Sequence, residues 1–252
     1  MNKIILSLVL LSPMAALQFC SSSYSGNNKA AAIHSLTSKT IVMELFTSQG
    51  CSSCPAADRL LGKYANDPSV IALSFHVDYW NNLGWKDPFS SAANSERQKQ
   101  YAKALALDGV YTPQLVINGE REMVGSDENK IGSAIESLAN ETSNTSMEIS
   151  NLSFKESKIS VQFTIQSLPG NASVYALVVQ KKGVTSVKAG ENRGVTITNY
   201  NIVRSLTTIN AGNGANDAIL SLPVGISAQE VSIVLLAQDS SAKIIAAAKS
   251  RI

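Results

Sequence analysis

Cysteine, histidine and aromatic residues are all scarce in this chain: three, two and 6% of its 252 residues. A structural zinc site needs four ligands, and with no second CxxC these numbers leave one short of donors. Charge of one sign is lacking too. The formal net charge is +2, and the 21 Lys and Arg residues are scattered. Nothing forms the basic footprint of a nucleic-acid binder, so nucleic acid is excluded as a partner. Beyond the N-terminus no apolar run is long enough to cross a bilayer, so the mature protein is expected to contain no transmembrane helix. No internal repeat is present.

What is there begins with "MNKIILSLVLLSPMAAL". One lysine precedes a short apolar run, the pattern of a secretory signal (residues 1–19) rather than of a spanning helix; the competing reading is a buried core helix. Cys20 follows in "LQFCSSS", where a bacterial lipoprotein would receive its lipid. Leu17 and the serines suit lipidation of Cys20, whereas Phe19 does not. The alternative is cleavage after Ser25 or Ala32. Either route exports the chain, to the periplasm or to a lipid anchor in the bacterial envelope, and this anchor is the only membrane contact expected. Residues 20–39 are small and polar and read as a disordered tether, with His34 solvent-exposed. The mature protein then keeps only Cys51 and Cys54, in an oxidising compartment.

Residues 40–140 alternate strand and helix patterns in the order β-α-β-α-β-β-α. "TIVMELF" (40–46) and "SVIALSFHV" (69–77) are continuous apolar strands, as in a parallel pair buried on both faces. Helices are expected over 51–66, over 95–107 with Ser95 as cap, and over 126–140 with Ser126 or Asp127 as cap. A hairpin turns at Asn118-Gly119. After the polar "NETSNTS", helical periodicity fades and six strand candidates follow, between 158 and 249. The expected fold class is therefore α/β plus all-β: a thioredoxin-like domain (40–140) followed by a β-sandwich-like domain (145–252).

The chemistry concentrates at "GCSSCP" (50–55). A CxxC after an apolar strand and at a helix start is a redox arrangement. Unpaired backbone N–H groups and the helix dipole favour a thiolate at Cys51, the expected nucleophile. Cys54, one turn on and more buried, is the expected resolving thiol. Pro55 suits the first turn. Three other readings stand beside this one: zinc, copper with His76 as third ligand, and a structural disulfide, which in so short a loop constrains little chain entropy. Thr112-Pro113, at the start of a strand after the second helix, is expected to be a cis bond facing the dithiol, with Thr112 and Pro113 meeting the substrate chain; a trans proline opening the strand is the alternative.

Glu44 is a lone carboxylate in an apolar strand. It is read either as a proton acceptor for Cys54 or as a paired carboxylate near the strand end. The loop "HVDYWNNLGWKDPF" (76–89) offers Asp78, Tyr79 and Trp80 as substrate-lining residues, or forms a packed lid; His76 faces either the site or the core. Residues 190–204, "GENRGVTITNYNIVR", read as a polar stretch between strands that either reaches the first half through Asn192, Arg193 and Arg204 or remains a surface loop.

The motifs "VMELFTSQGCSSCP", "FHVDYWNNLGWKDPFSS", "RQKQYA", "VYTPQLVINGE", "GSD" and "GENRGVTITNYNIVR" together resemble a secreted bacterial family known as domain of unknown function 1223, over about residues 40–250. The resemblance implies a thioredoxin-like domain and a β-rich domain, with Cys51 and Cys54 as redox pair and Pro113 as cis-proline. Asn81 departs from it, since the family tends toward an acidic residue there. It implies no substrate. The expected function is an exported thiol–disulfide oxidoreductase that needs no cofactor or resident metal and acts on client protein thiols or disulfides with an envelope redox partner. Ser52 and Ser53 between the cysteines supply neither cation nor ring, which leans the direction toward reduction or isomerisation. The rival is a non-enzymatic module that binds copper or senses redox state.

Overall fold

The structure, a computed structural model, describes Met1, Thr37, Ser38 and residues 40–250. The signal segment, the lipidation expected at Cys20, His34 and the tether up to residue 36 lie outside the described residues. Thr37–Ser38, assigned to the tether, instead form a short strand, β1.

The elements that follow are β2 (Ile41–Thr47), α1 (Cys54–Tyr64), β3 (Val70–His76), α2 (Ala92–Ala104), β4 (Gln114–Ile117), β5 (Arg121–Val124), α3 (Glu128–Ala139), β6 (Thr142–Ser143), β7 (Ser146–Lys155), β8 (Lys158–Gln166), β9 (Ser173–Ser186), β10 (Thr196–Ile209), β11 (Gly214–Ser221), β12 (Val231–Gln238) and β13 (Ile244–Lys249). Eight strands form one mixed sheet in the order β13-β12-β9-β10-β3-β2-β4-β5, and β11-β8-β7 form a second. β1 pairs with β6.

This arrangement overturns the expected fold class. The chain is not a thioredoxin-like βαβαββα unit followed by a β-sandwich-like one. It is mostly β, and its main sheet runs through both halves of the sequence. The join is β10 beside β3, parallel, with Ile202 opposite Ser74. A strand as apolar as β3, buried at every position, would otherwise leave an open edge, and β10 covers it. β10 contains the strand expected over 200–208 and begins four residues earlier, inside the polar stretch 190–204. β9 and β10 are each 14 residues long, longer than their apolar runs suggest, because their far ends pair with each other beyond the core.

The sheet carries different layers on its two faces. On one, Ile41, Met43 and Leu45 of β2 pack against Ala57, Leu60 and Leu61 of α1 and Ile131 and Leu138 of α3. Farther along, β8 lays Ile159, Val161, Phe163 and Ile165 over Val174, Ala176 and Val178 of β9 and Ile233 and Leu235 of β12. On the other face Val42, Phe46, Phe75 and Tyr101 of α2 form a core that continues through Leu177, Val203 and Val234. Strict alternation along β8 (exposed, buried, exposed, buried) is what one half-solvated face dictates.

Local signals explain the helix starts. Ser91, not Ser95, caps α2, with its side chain accepting from the Asn94 N–H; Asp127 caps α3 through Lys130. Gly119 occupies the hairpin turn at φ +70°, where a Cβ would stand 2.0 Å from the Ala242 carbonyl oxygen. The 118–119 turn is therefore also a docking point for the end of the chain, and Ile244 N–H donates to Asn118 O at 2.9 Å.

Candidate functional site

The site grows from the turn between β2 and α1. Ser48 Oγ accepts from the Gly50 N–H at 3.0 Å. Cys51 N–H donates to Ser48 O, and Cys54 N–H to Cys51 O, both at 3.2 Å. These bonds use up the turn before the helix begins at Cys54, so Cys51 sits just ahead of α1 rather than within it. Ser53 occupies the N-cap without making a side-chain cap bond, because its Oγ faces Cys51 Sγ at 3.2 Å. Pro55 takes the first turn, where a missing N–H costs nothing.

Both cysteines are thiols, and both are buried. Their environments push them apart. Hydrogen bonding from Cys54, aided by Ser53 and Thr112 against the opposing effect of burial, lowers the Cys51 pKa to about 5. Cys54 goes the other way: burial first, then the neighbouring charge of Cys51 and of Asp58, holds its thiol strongly protonated. One sulfur is thus a nucleophile at neutral pH and the other a stored proton.

The Thr112–Pro113 bond is cis, and Thr112 O lies 3.8 Å from Cys51 Sγ. Trp80 Nε1 donates to Thr112 Oγ1 at 2.9 Å, and the Trp80 Cβ fits closely against Gly50. Trp80 therefore ties the proline loop to the cysteine turn. Tyr79 is 39% exposed, donates to Gln98 Oε1, and has a pKa raised to about 12 by burial and then by the two nearby sulfurs. Asp78 is less available: its Oδ1 accepts from Ser95 Oγ at 2.5 Å, which fastens it to α2. Of the three residues expected to line the site, Tyr79 and Trp80 are beside it, while Asp78 anchors the loop.

Glu44 requires a correction. It lies on the face of β2 opposite α1, where Arg97 grips it through Nε (2.5 Å) and Nη2 (2.8 Å) and Tyr101 OH donates at 2.7 Å. Its lone pairs are occupied and a sheet separates it from Cys54, so it is the paired carboxylate and not the proton acceptor.

The carboxylate that does adjoin Cys54 is Asp58, four residues along α1 and hence on the same helix face. It is buried, its Oδ1 accepts from Thr47 Oγ1 at 2.9 Å, and burial, partly offset by His76, raises its pKa to about 6. The signal for it was present in "CPAAD", an acid one turn after the second cysteine. His76 lies opposite Thr47 in the parallel register and so faces α1. Its Nδ1 is 2.7 Å from Asp87 Oδ2, which also accepts the Gln49 N–H at 2.8 Å.

The second half of the chain completes the site. Asn192 donates to the carbonyls of Gln49 and Cys51, each at 2.9 Å. Glu191 accepts the Ser52 N–H at 2.8 Å, and Asn199 Oδ1 accepts from Gln49 Nε2. Arg193 makes no such contact, and Arg204 stacks over Phe89. Cys51 is left only 1% exposed. Among the described residues, no three His, Cys, Asp or Glu side chains are grouped to hold a metal, and none of the helices is long and apolar enough to cross a membrane.

Residues 42–238 match a family described as protein of unknown function DUF1223. The X-ray structure of protein AGR_C_4864 from Agrobacterium tumefaciens is similar over 86% of this chain and 99% of that one, with a TM-score of 0.68 and 29% identity. A β-glucosidase from Kluyveromyces marxianus is matched at 13% identity over 47% of this chain and 16% of its own, with a TM-score of 0.20. β-Glucosidase 3B from Thermotoga neapolitana is matched at 16% identity over 44% and 16%, with a TM-score of 0.22. No curated protein matches the chain.

Proposed function

The chain belongs to the DUF1223 family of proteins of unknown function, and we propose that it is an exported thiol–disulfide oxidoreductase acting on protein thiols or disulfides. The observation that carries this reading is the asymmetry of the pair. Cys51 Sγ sits between Ser53 Oγ and Thr112 O ahead of α1, while Cys54 lies in the first turn of α1 with the buried Asp58 one turn further on. Export rests on the N-terminal apolar segment, which would place the pair in the periplasm or on a lipid anchor at Cys20.

A stabilised Cys51 thiolate makes the reduced pair the favoured state, so its disulfide is readily given away. The environment of Cys51 thus favours disulfide donation, where Ser52 and Ser53 by sequence suggested reduction or isomerisation. In the donating direction a client thiolate attacks Cys51 Sγ, the Cys51–Cys54 bond breaks, and a second client thiol resolves the mixed disulfide. An envelope redox partner would then reoxidise the pair.

The test is the reduction potential of the Cys51–Cys54 pair together with capture by Cys54→Ala. A variant that retains mixed disulfides with envelope proteins, and a wild-type pair that cycles, support the reading. A pair that never cycles and a variant that captures nothing sink it.

A further inference from the structure

Beneath α1, the buried polar atoms Asp58 Oδ2, His76 Nε2 and Asn199 Nδ2 make no hydrogen bond of ordinary geometry. They come from a helix and two strands, yet they share one place: Thr47, whose hydroxyl donates to Asp58 Oδ1, lies opposite His76 in the sheet, and the Asn199 amide comes close enough to act on the Asp58 carboxyl as a donor. Orphaned polar atoms are rare in packed interiors and call for a role. His76 is also held in one tautomer. Asp87 Oδ2 takes the Nδ1 hydrogen while accepting the Gln49 N–H, and its Oδ1 accepts the Phe89 N–H at 2.9 Å. The lone pair of Nε2 is then turned toward the cluster.

We propose that Asp58, His76 and Asp87 form a buried proton relay that serves the Cys54 sulfur. The inference rests on the thiol–disulfide reading above. When a client thiolate bonds to Cys51 Sγ, the Cys51–Cys54 bond breaks and its electron pair stays on Cys54. That sulfur is too buried to remain a thiolate and takes the proton of the Asp58 carboxyl. Asp58, now ionised, regains its proton by way of His76, which Asp87 holds in place. In reverse, Cys54 delivers its proton to Asp58 as it closes on Cys51 and expels a client thiolate. Asp58 adjoins the sulfur; His76 and Asp87 act through it. The titratable and charged groups around the cluster are Cys51 and Cys54 from α1 and its preceding turn, Asp87 from the loop, and Arg204 from β10, which acts on Asp87.

Reaction of the reduced protein with an aromatic model disulfide separates the steps. Release of the first aromatic thiolate reads attack by Cys51, and release of the second reads closure by Cys54. Asp58→Asn should leave the first phase within about twofold and slow the second by about 10- to 100-fold, the usual scale of a lost acid–base group. His76→Gln should move the pH inflection of the second phase upward, because His76 lowers the Asp58 pKa. Wild-type protein alone gives a third reading, a second phase that accelerates through an inflection near pH 6. A second phase flat from pH 5 to 8, or unmoved by both variants, overturns the relay. If wild type shows no second phase at all, the oxidoreductase reading itself has failed.

Discussion

The side-chain amide of Asn192 donates at 2.9 Å to the backbone carbonyl of Cys51, 141 residues earlier. Its second bond, to Gln49 O, is equally short. Together they fix the cysteine turn from the far half of the chain, and Glu191 covers the Ser52 N–H beside it. Asn192→Ala removes both bonds and strands the Gln49 carbonyl, while Cys51 O keeps the Cys54 N–H; this should cost about 1–3 kcal/mol. It should also raise the alkylation rate of Cys51 several-fold, since Cys51 is 1% exposed with the strap in place. Iodoacetamide kinetics under native conditions, with a parallel urea melt, measure both. An unchanged alkylation rate would mean that the strap does not limit access.

Alkylation against pH tests the asymmetry of the pair. Cys51 should react with a midpoint near pH 5, while Cys54 stays silent until the protein unfolds. The largest influence lowering Cys51 is its hydrogen bond from Cys54. Cys54→Ala should therefore move the Cys51 midpoint upward by more than one pH unit, even though the alanine leaves Ser53 and Thr112 in place. A midpoint that does not move would assign the low value to the turn instead.

The Glu44–Arg97 pair predicts a stability effect without a catalytic one. Burial opposes the charge on Arg97, but Glu44, aided by Tyr101 and Tyr175, outweighs it and keeps the guanidinium charged. Glu44→Gln would leave a buried guanidinium uncompensated, and breaking such pairs costs about 3–5 kcal/mol. Cys51 alkylation and mixed-disulfide closure should keep their wild-type rates once the folded fraction is allowed for. Slowed closure in folded Glu44→Gln would restore a role for this carboxylate that its position on the opposite sheet face denies.

The cysteine turn, the proline at 113, the hairpin at 118–119 and most strands were legible because each is written locally, in spacing or turn chemistry. The fold class was not. Whether β3 ends a sheet or continues into β10 depends on Ile202 meeting Ser74 across 128 residues (202 minus 74), and no local period encodes which strand fills an edge. The site failed in the same way. Glu44 and Asp58 are both lone acids in apolar surroundings. Only the three-dimensional arrangement shows that Arg97 neutralises one while the other is left beside a sulfur. Asn192 was legible as a candidate, but its targets were not, since backbone carbonyls carry no sequence signature.

Asp58 predicts an inverted dependence of stability on pH. Its pKa is raised on folding, from 3.8 to about 6. Between those values the folded state binds more protons than the unfolded one, so stability falls as pH rises. The contribution is fully present below about pH 4 and lost by the time pH passes 6. The gap is worth about 3 kcal/mol on the scale of 1.36 kcal/mol per pH unit. Asn at this position still accepts from Thr47 and carries no charge to bury. Asp58→Asn should therefore melt at a higher temperature than wild type at pH 7, with the difference shrinking toward pH 4. Thermal melts of the reduced protein across that range measure it. A variant less stable than wild type at neutral pH would mean that the Asp58 carboxylate is compensated by a charge, and the raised proton affinity that the relay draws on would be absent.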